Sequence, residues 1–186
     1  MAVNWPNTLT WIRILAIPLI VVVFFLPVTW AGPAAGILFA LAGITDYLDG
    51  YLARKMSQTS RFGAFLDPVA DKLVVATALV LIVQRDPQIY LSVVAAIIIG
   101  REITVSALRE WMSEIGASAK VSVTWFGKWK TTVQIIGISL MLFKQAIGPV
   151  PVYLIGEVLL LVAAALTIFS MLDYLRSAWP ALRDSG

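Results

Sequence analysis

Asp46-Tyr47-Leu48-Asp49-Gly50-Tyr51-Leu52-Ala53-Arg54, continued after a short polar break by Arg61-Phe62-Gly63-Ala64-Phe65-Leu66-Asp67-Pro68-Val69-Ala70-Asp71, sets four carboxylates inside an otherwise strongly apolar chain. An acidic group at membrane depth costs roughly 3 kcal/mol unless it is paired, hydrated or bound to a cation. At about 100° per helical residue, Asp46 and Asp49 fall on one face with Gly50 and Ala53 beside them. Asp67 and Asp71 share a face with Gly63, which lies one turn earlier. The intervening basic and polar segment, Arg54 to Arg61, suits a turn at a membrane surface. The spacing therefore predicts two antiparallel helices that meet near one interface, each offering a carboxylate pair to the space between them. Clustered oxygen ligands without nitrogen or sulfur nearby form the environment of Mg²⁺, Mn²⁺ or Ca²⁺.

Composition supports a membrane setting. Of 186 residues, 60% are hydrophobic and only 13% charged, and the mean hydropathy is +0.88. A soluble domain carries about 25% charged residues. The expectation is one polytopic domain over 1–186, with nothing left over for a separate soluble unit. The chain has no cysteine and no histidine, which excludes thiolate chemistry and the commonest general base and zinc ligand. Proton abstraction falls to a carboxylate, Lys or Tyr. The modest net charge of +3 gives no reason to expect a nucleic-acid partner.

Six apolar runs follow in order, at roughly 12–29, 34–53, 62–84, 89–113, 124–145 and 151–176, each near the ~20 residues that cross hydrocarbon. Residues 1–11, with Trp5 and Pro6, suit an interfacial lead-in, and 177–186 a short tail. The start lacks a basic n-region and short apolar core, so the first run is expected to be retained. Arg13, Arg54, Lys55, Arg61, Arg109, Lys120, Lys128, Lys130, Arg176 and Arg183 gather at one side, and only Arg85 and Lys144 at the other. The first side is expected to be cytoplasmic, with both termini and all four Asp. The predicted fold class is all-α: six transmembrane helices around a cytoplasm-facing polar cavity.

The pattern D-x-x-D-G-x-x-A-R-(x8)-G-x-x-x-D-x-x-x-D, from Asp46 to Asp71, resembles the signature of the CDP-alcohol phosphotransferases, with every fixed position filled. Length, six apparent spans and flanking sequence are similar to one branch, the bacterial phosphatidylglycerophosphate synthases. The resemblance implies an inner-membrane enzyme, commonly a homodimer, that moves a phosphatidyl group from CDP-diacylglycerol to an alcohol and releases CMP. It implies two divalent cations, Mg²⁺ or Mn²⁺, on Asp46, Asp49, Asp67 and Asp71. Ions ~3.5–4 Å apart stabilise both attacking and leaving oxygens. It also implies that Asp71 takes the proton of the incoming alcohol, whether or not it touches metal. Gly50, Ala53, Arg54 and Gly63 would meet the cytidine diphosphate. The segment Pro-Asn-x-Leu-Thr-x-x-Arg would bring Asn7, Thr10 and Arg13 near the same lipid nucleotide. Apart from the resemblance, the two glycines suit close helix packing, and Asn7 and Thr10 suit capping and anchoring.

Choice of alcohol needs a second site. Arg101 and Arg109, eight residues apart, share a face of the fourth run, and Lys128 and Lys130 open the fifth. Such a cluster suits a phosphorylated acceptor. Arg-Glu-Ile-x-x-Ser-Ala-Leu-Arg-Glu and Gly-Lys-x-Lys-Thr resemble the same branch, which implies sn-glycerol 3-phosphate. Inside-positive topology and pairing with Glu102, Glu110 and Glu114 are the plainer account of these charges, and Lys55 and Lys120 are assigned to it. Lys72 is left without a role. The alternatives are a sibling enzyme acting on phosphatidylglycerol or an inositol phosphate, and a divalent-cation transporter. Against transport, the carboxylates lie at the ends of their runs, and no mirrored, Gly- or Pro-broken helices appear.

Overall fold

A computed structural model describes residues 5–56, 61–115 and 125–184, with side chains described for 10–45, 66–115, 129–176 and Trp179. Six helices carry these residues: α1 Trp5–Phe25, α2 Ala31–Met56, α3 Arg61–Arg85, α4 Ile89–Glu114, α5 Trp125–Phe143 and α6 Val152–Asp184. Among the described residues there is no β-strand, only an isolated bridge between Ile147 and Val150 in the α5–α6 turn. The all-helical class is as expected.

Two boundaries differ from the sequence reading. The lead-in is helical from Trp5, because Pro6 occupies a first-turn position whose N–H has no helical acceptor in any case. The expected tail is helical too: α6 continues to Asp184, since Pro180 removes one backbone donor without ending the run of helix formers around it.

The helices close into a ring. α1 packs on α2, α2 on α5, α5 on α6, α6 on α4, α4 on α3, and α3 back on α1. The two carboxylate-bearing helices, α2 and α3, touch each other only sparsely, and α1 packs against both. The sequence reading has them meet at the end that carries the four Asp, where the side chains of 46–65 lie outside the described residues.

Small residues set the tightest crossings. A Cβ on Gly156 would lie 2.8 Å from the Gly137 carbonyl oxygen, so α5 and α6 approach backbone to backbone. Gly32 and Gly36 do the same for α2 against the last turns of α5. Phe39, Leu79, Ile82, Ile98, Ile138, Met141 and Leu142 fill the core between the helices.

The end of the bundle near the α3–α4 and α5–α6 turns is tied by polar contacts. Arg85 donates to the Met141 carbonyl and, at 3.2 Å, to the Leu142 carbonyl. It thereby satisfies two of the acceptors that α5 leaves without partners at its C-terminus. Lys144 ends that helix in the left-handed region, at φ 62. The Tyr153 hydroxyl donates to Asp86 at 2.8 Å, joining α6 to the α3–α4 turn.

The outer surface is apolar. Leu15, Val22, Val80, Val93, Leu154 and Phe169 are all more than half exposed, more hydrocarbon than a soluble monomer leaves uncovered. Among the described residues, Ile89–Glu114 and Val152–Arg176 are long and apolar enough to cross a membrane. Thr10–Phe24, Ala31–Thr45 and Trp129–Phe143 are apolar but shorter. This is a membrane protein, and several of its charged side chains, Arg13, Arg101 and Lys130 among them, are buried in the bundle.

Gly36→Ala is expected to lower stability by about 1–3 kcal/mol, because its Cβ would sit 2.6 Å from the Ser139 carbonyl oxygen and 2.8 Å from the Phe143 nitrogen, both backbone atoms. Gly100 has nothing within 4 Å of a built Cβ, so Gly100→Ala should be neutral or gain about 0.5–1 kcal/mol. Thermal unfolding in detergent ranks the two, and equal effects would contradict the packing described.

Candidate active site

Two adjoining cavities open inside the ring. The inner one, about 290 Å³, is walled by side chains from all six helices: Arg13 of α1, Phe39 of α2, Asp71 of α3, Arg101 of α4, Gln134 of α5 and Tyr174 of α6 among them. The outer one, about 310 Å³, adds Asp67 and Ser106. Asp71, Lys72, Arg101, Glu102 and Arg109 face both. The second carboxylate pair and the two arginines, predicted separately from sequence, thus share one space.

Helix α3 presents Asp67 and Asp71 one turn apart, and α1 holds them. Thr10 donates its hydroxyl to Asp67 Oδ1, and Arg13 donates from Nη1 to Asp71 Oδ1. Thr10 and Arg13 are three residues apart, so one face of α1 meets one face of α3. Arg13 is only 2% exposed; a guanidinium so enclosed needs the carboxylate opposite it. Thr10 was expected near the lipid nucleotide and here supports a carboxylate. Lys72, left open by the sequence, donates to Ser106 and so ties α3 to α4.

The basic residues are organised by Glu102. Its Oε1 accepts from Arg101 Nη1 at 3.0 Å and from Lys130 Nζ at 2.9 Å. Arg101 Nη2 donates to Ser170 at 3.0 Å, while its buried Nε has no partner. Arg109 donates to the Tyr174 hydroxyl. The Tyr174 ring lies between two guanidiniums, 5.8 Å from that of Arg101 and 5.2 Å from that of Arg109. Arg13, Lys72, Arg101 and Arg109 against Asp71 and Glu102 leave a surplus of positive charge on the wall of the inner cavity. Lys130, read from sequence as an anion ligand, is buried on Glu102, so the pairing the sequence offered as the plainer account holds for it.

The remaining predicted residues are placed by backbone alone. Asp46, Asp49, Gly50, Ala53 and Arg54 belong to the last turns of α2, Gly63 to the first turn of α3, Asn7 to the first turn of α1 and Lys128 to the first turn of α5; their side chains lie outside the described residues. Among the described residues, no three acidic side chains are gathered around a point. Asp67 and Asp71 nonetheless fit a hard divalent cation: they are carboxylates one turn apart on one cavity wall, with no nitrogen or sulfur ligand that would favour a softer metal.

Sequence reasoning missed Tyr174, Ser170, Ser106 and Gln134. Ser106 stands in the motif from Arg101 to Glu110 but was given no role there; the other three belong to no motif. The signal available for Tyr174 and Ser170 was a four-residue spacing near the end of an apolar run, which by itself is ordinary helix periodicity.

An all-helical membrane protein with this carboxylate signature and an adjoining basic wall has the parts of a lipid phosphotransferase. The family model described as CDP-alcohol phosphatidyltransferase matches residues 3–169, and the chain belongs to that family. It is accordingly a transferase of phospholipid biosynthesis. It is similar to the protein from Pseudomonas fluorescens named CDP-diacylglycerol–glycerol-3-phosphate 3-phosphatidyltransferase, at 49% identity over 185 residues, covering 98% of this chain and 94% of that one. Proteins of the same name from Shigella flexneri and from Escherichia coli strain K12 are each 47% identical over 184 residues, covering 99% of this chain and all of theirs.

Glu102→Gln should destabilise the protein by leaving Lys130 buried without a counter-charge, whereas Glu102→Gln/Lys130→Met should recover much of the loss. The expected coupling is about 1–2 kcal/mol, reduced by the partial exposure of Glu102. Additive losses in melting temperature across this double-mutant cycle would contradict the arrangement.

Proposed function

We propose that the protein transfers the phosphatidyl group of CDP-diacylglycerol to a terminal hydroxyl of sn-glycerol 3-phosphate, giving phosphatidylglycerophosphate and CMP. The observation that carries this reading is the shared cavity: the signature carboxylates Asp67 and Asp71 face the same space as Arg101 and Arg109. A reaction between a nucleotide-linked lipid and a phosphorylated alcohol needs both groups within reach of one phosphorus atom. The names of the relatives point to the same two substrates.

In the proposed reaction the acceptor hydroxyl oxygen bonds to the phosphorus of the phosphatidyl group. The bond from that phosphorus to the CMP phosphate oxygen breaks, and the hydroxyl proton passes to the Asp71 carboxylate. Asp71 suits this task by placement, since Arg13 fixes one of its oxygens and orients the group toward the cavity. Thr10 orients Asp67 in the same way. Arg109, and the unpartnered Nε of Arg101, supply donors for the acceptor phosphate. Glu102 holds Arg101 in place without neutralising the whole wall.

Asp46, Asp49, Asp67 and Asp71 would hold two Mg²⁺ or Mn²⁺ ions. When bound, such ions offset the charge of the pyrophosphate and of the departing CMP. Gly50, Ala53, Arg54, Gly63 and Asn7 are assigned to the lipid nucleotide, and Lys128 to the acceptor side. Six crossings of a bacterial inner membrane, with both termini and the cavity cytoplasmic, are supported by the distribution of basic residues. Such a cavity would be reached by the lipid substrate from the bilayer and by the soluble one from the cytoplasm. A homodimer is the assembly the resemblance implies.

Detergent-purified protein given CDP-diacylglycerol and Mg²⁺ should release CMP only when glycerol 3-phosphate is present. Release supported instead by another alcohol would overturn the acceptor assignment, and cation transport without CMP release would overturn the whole reading. Arg109→Ala should raise the acceptor KM about 10–100-fold with little change for the lipid nucleotide; equal effects on both would refute its role. Asp71→Asn is expected to abolish turnover while binding of labelled CDP-diacylglycerol to the detergent-purified protein persists.

A further inference from the structure

The inner cavity has a buried polar lining group that the reaction just described does not use and that lacks a partner for one of its atoms. Gln134 lies on its wall, is 2% exposed, and its Oε1 has no hydrogen-bond partner. A buried carboxamide oxygen without a donor is rare, because the desolvation it suffers is not recovered. Thr131 is already partnered, and the Tyr174 hydroxyl accepts from Arg109 and makes no hydrogen bond to Gln134 Oε1. Phe39, Ala42, Val74, Val75 and Ile135, which line the same cavity, offer no hydrogen bond.

Position narrows what would satisfy Gln134. It lies one turn, about 5.4 Å, beyond Lys130 on the same face of α5, and Lys130 bonds the carboxylate that holds Arg101. Asp71 and both arginines border the inner cavity with Gln134, whereas Asp67 borders only the outer one. A ligand that runs through the inner cavity from the arginines to Asp71 shares that space with Gln134, which can meet its middle atoms. One helical turn is comparable to a three-carbon chain. A carboxamide both accepts and donates, so it matches a neutral hydroxyl and offers nothing specific to a second charge.

We propose that Gln134 binds the non-reacting hydroxyl of the acceptor and so makes the enzyme select a diol phosphate over the corresponding simple alcohol phosphate. This rests on the acceptor reading above, with Gln134 as a specificity-determining residue and Asp71 as the group that handles the proton. A site built around a substrate hydroxyl rejects the analogue that lacks it, because the buried protein group is then left unpaired.

The test compares glycerol 3-phosphate with 3-hydroxypropyl phosphate, which keeps the phosphate and one terminal hydroxyl but lacks the middle one. Both are assayed by CMP release in wild-type protein and in Gln134→Met, a variant of similar volume. Wild type is expected to favour glycerol 3-phosphate by about 10-fold or more in kcat/KM, and Gln134→Met to reduce that ratio to about threefold or less while turnover of the analogue is retained. Equal use of the two acceptors by wild type would overturn the proposal without any variant. An unchanged ratio in an active Gln134→Met would also overturn it, leaving the carboxamide to a bound water. If Gln134→Met does not fold, Gln134→Ala in the same comparison decides: the preference should again fall to about threefold or less, and an unchanged ratio overturns the proposal. Wild type inactive with glycerol 3-phosphate but active with another alcohol defeats the acceptor reading, and this proposal with it.

Discussion

A guanidinium almost sealed inside an apolar bundle persists only against a fixed opposite charge, and the contact of Arg13 with Asp71 is that constraint here. It sets the face that α1 turns to α3 and with it the face of α3 that looks inward. Thr10 on Asp67 repeats the contact one turn away. Together they make α1 a lath along which the second carboxylate pair is aligned, and α2 packs on the other flank of the same helix. The rest of the polar interior obeys the same rule. Arg101 and Lys130 converge on Glu102, and Arg109 ends on a tyrosine hydroxyl. Each charge that enters the bundle meets its partner on a different helix or beside it on its own. The pairs therefore carry registry information as well as charge.

Much of this was legible in the chain. The i, i+3 and i, i+4 spacings of the four Asp, the alternation of apolar runs with basic turns, and the two-turn spacing of Arg101 and Arg109 fix helices, faces and ends. Period and spacing describe a helix against itself, and they are silent about which other helix lies opposite. Arg101 finds Ser170, 69 residues away, and Lys130 finds Glu102, 28 away. The first depends on the ring order, in which α4 touches α6, and the second reaches across the interior from α5 to α4, which are not neighbours in the ring. For the same reason the sequence left Lys72 open and could assign Lys130 to the acceptor phosphate while also offering a glutamate as its partner. Gln134 gave no signal at all, because a single glutamine in an apolar run has the same appearance whether it packs, bonds a water or faces a cavity.

Helix ends show a related limit. Pro6 was rightly placed in a first turn, yet the residues around it were read as lead-in. Pro180 falls in the expected tail, and α6 continues through it. Prolines mark where a helix loses one bond, and neighbouring residues decide whether it stops.

The closed ring has a consequence for how the molecule is made. Tyr174 and Ser170 sit on the last helix, and through them Arg109 and Arg101 are anchored. Until α6 docks between α4 and α5, the wall of arginines has no backing and the inner chamber no final side. Insertion from the N-terminus would deliver the carboxylates first, the cations next and the closing tyrosine last, so no shorter intermediate holds a finished chamber. The nascent protein would thus enter the bilayer before it could act on lipid, and the step that seals the bundle would also complete the catalyst.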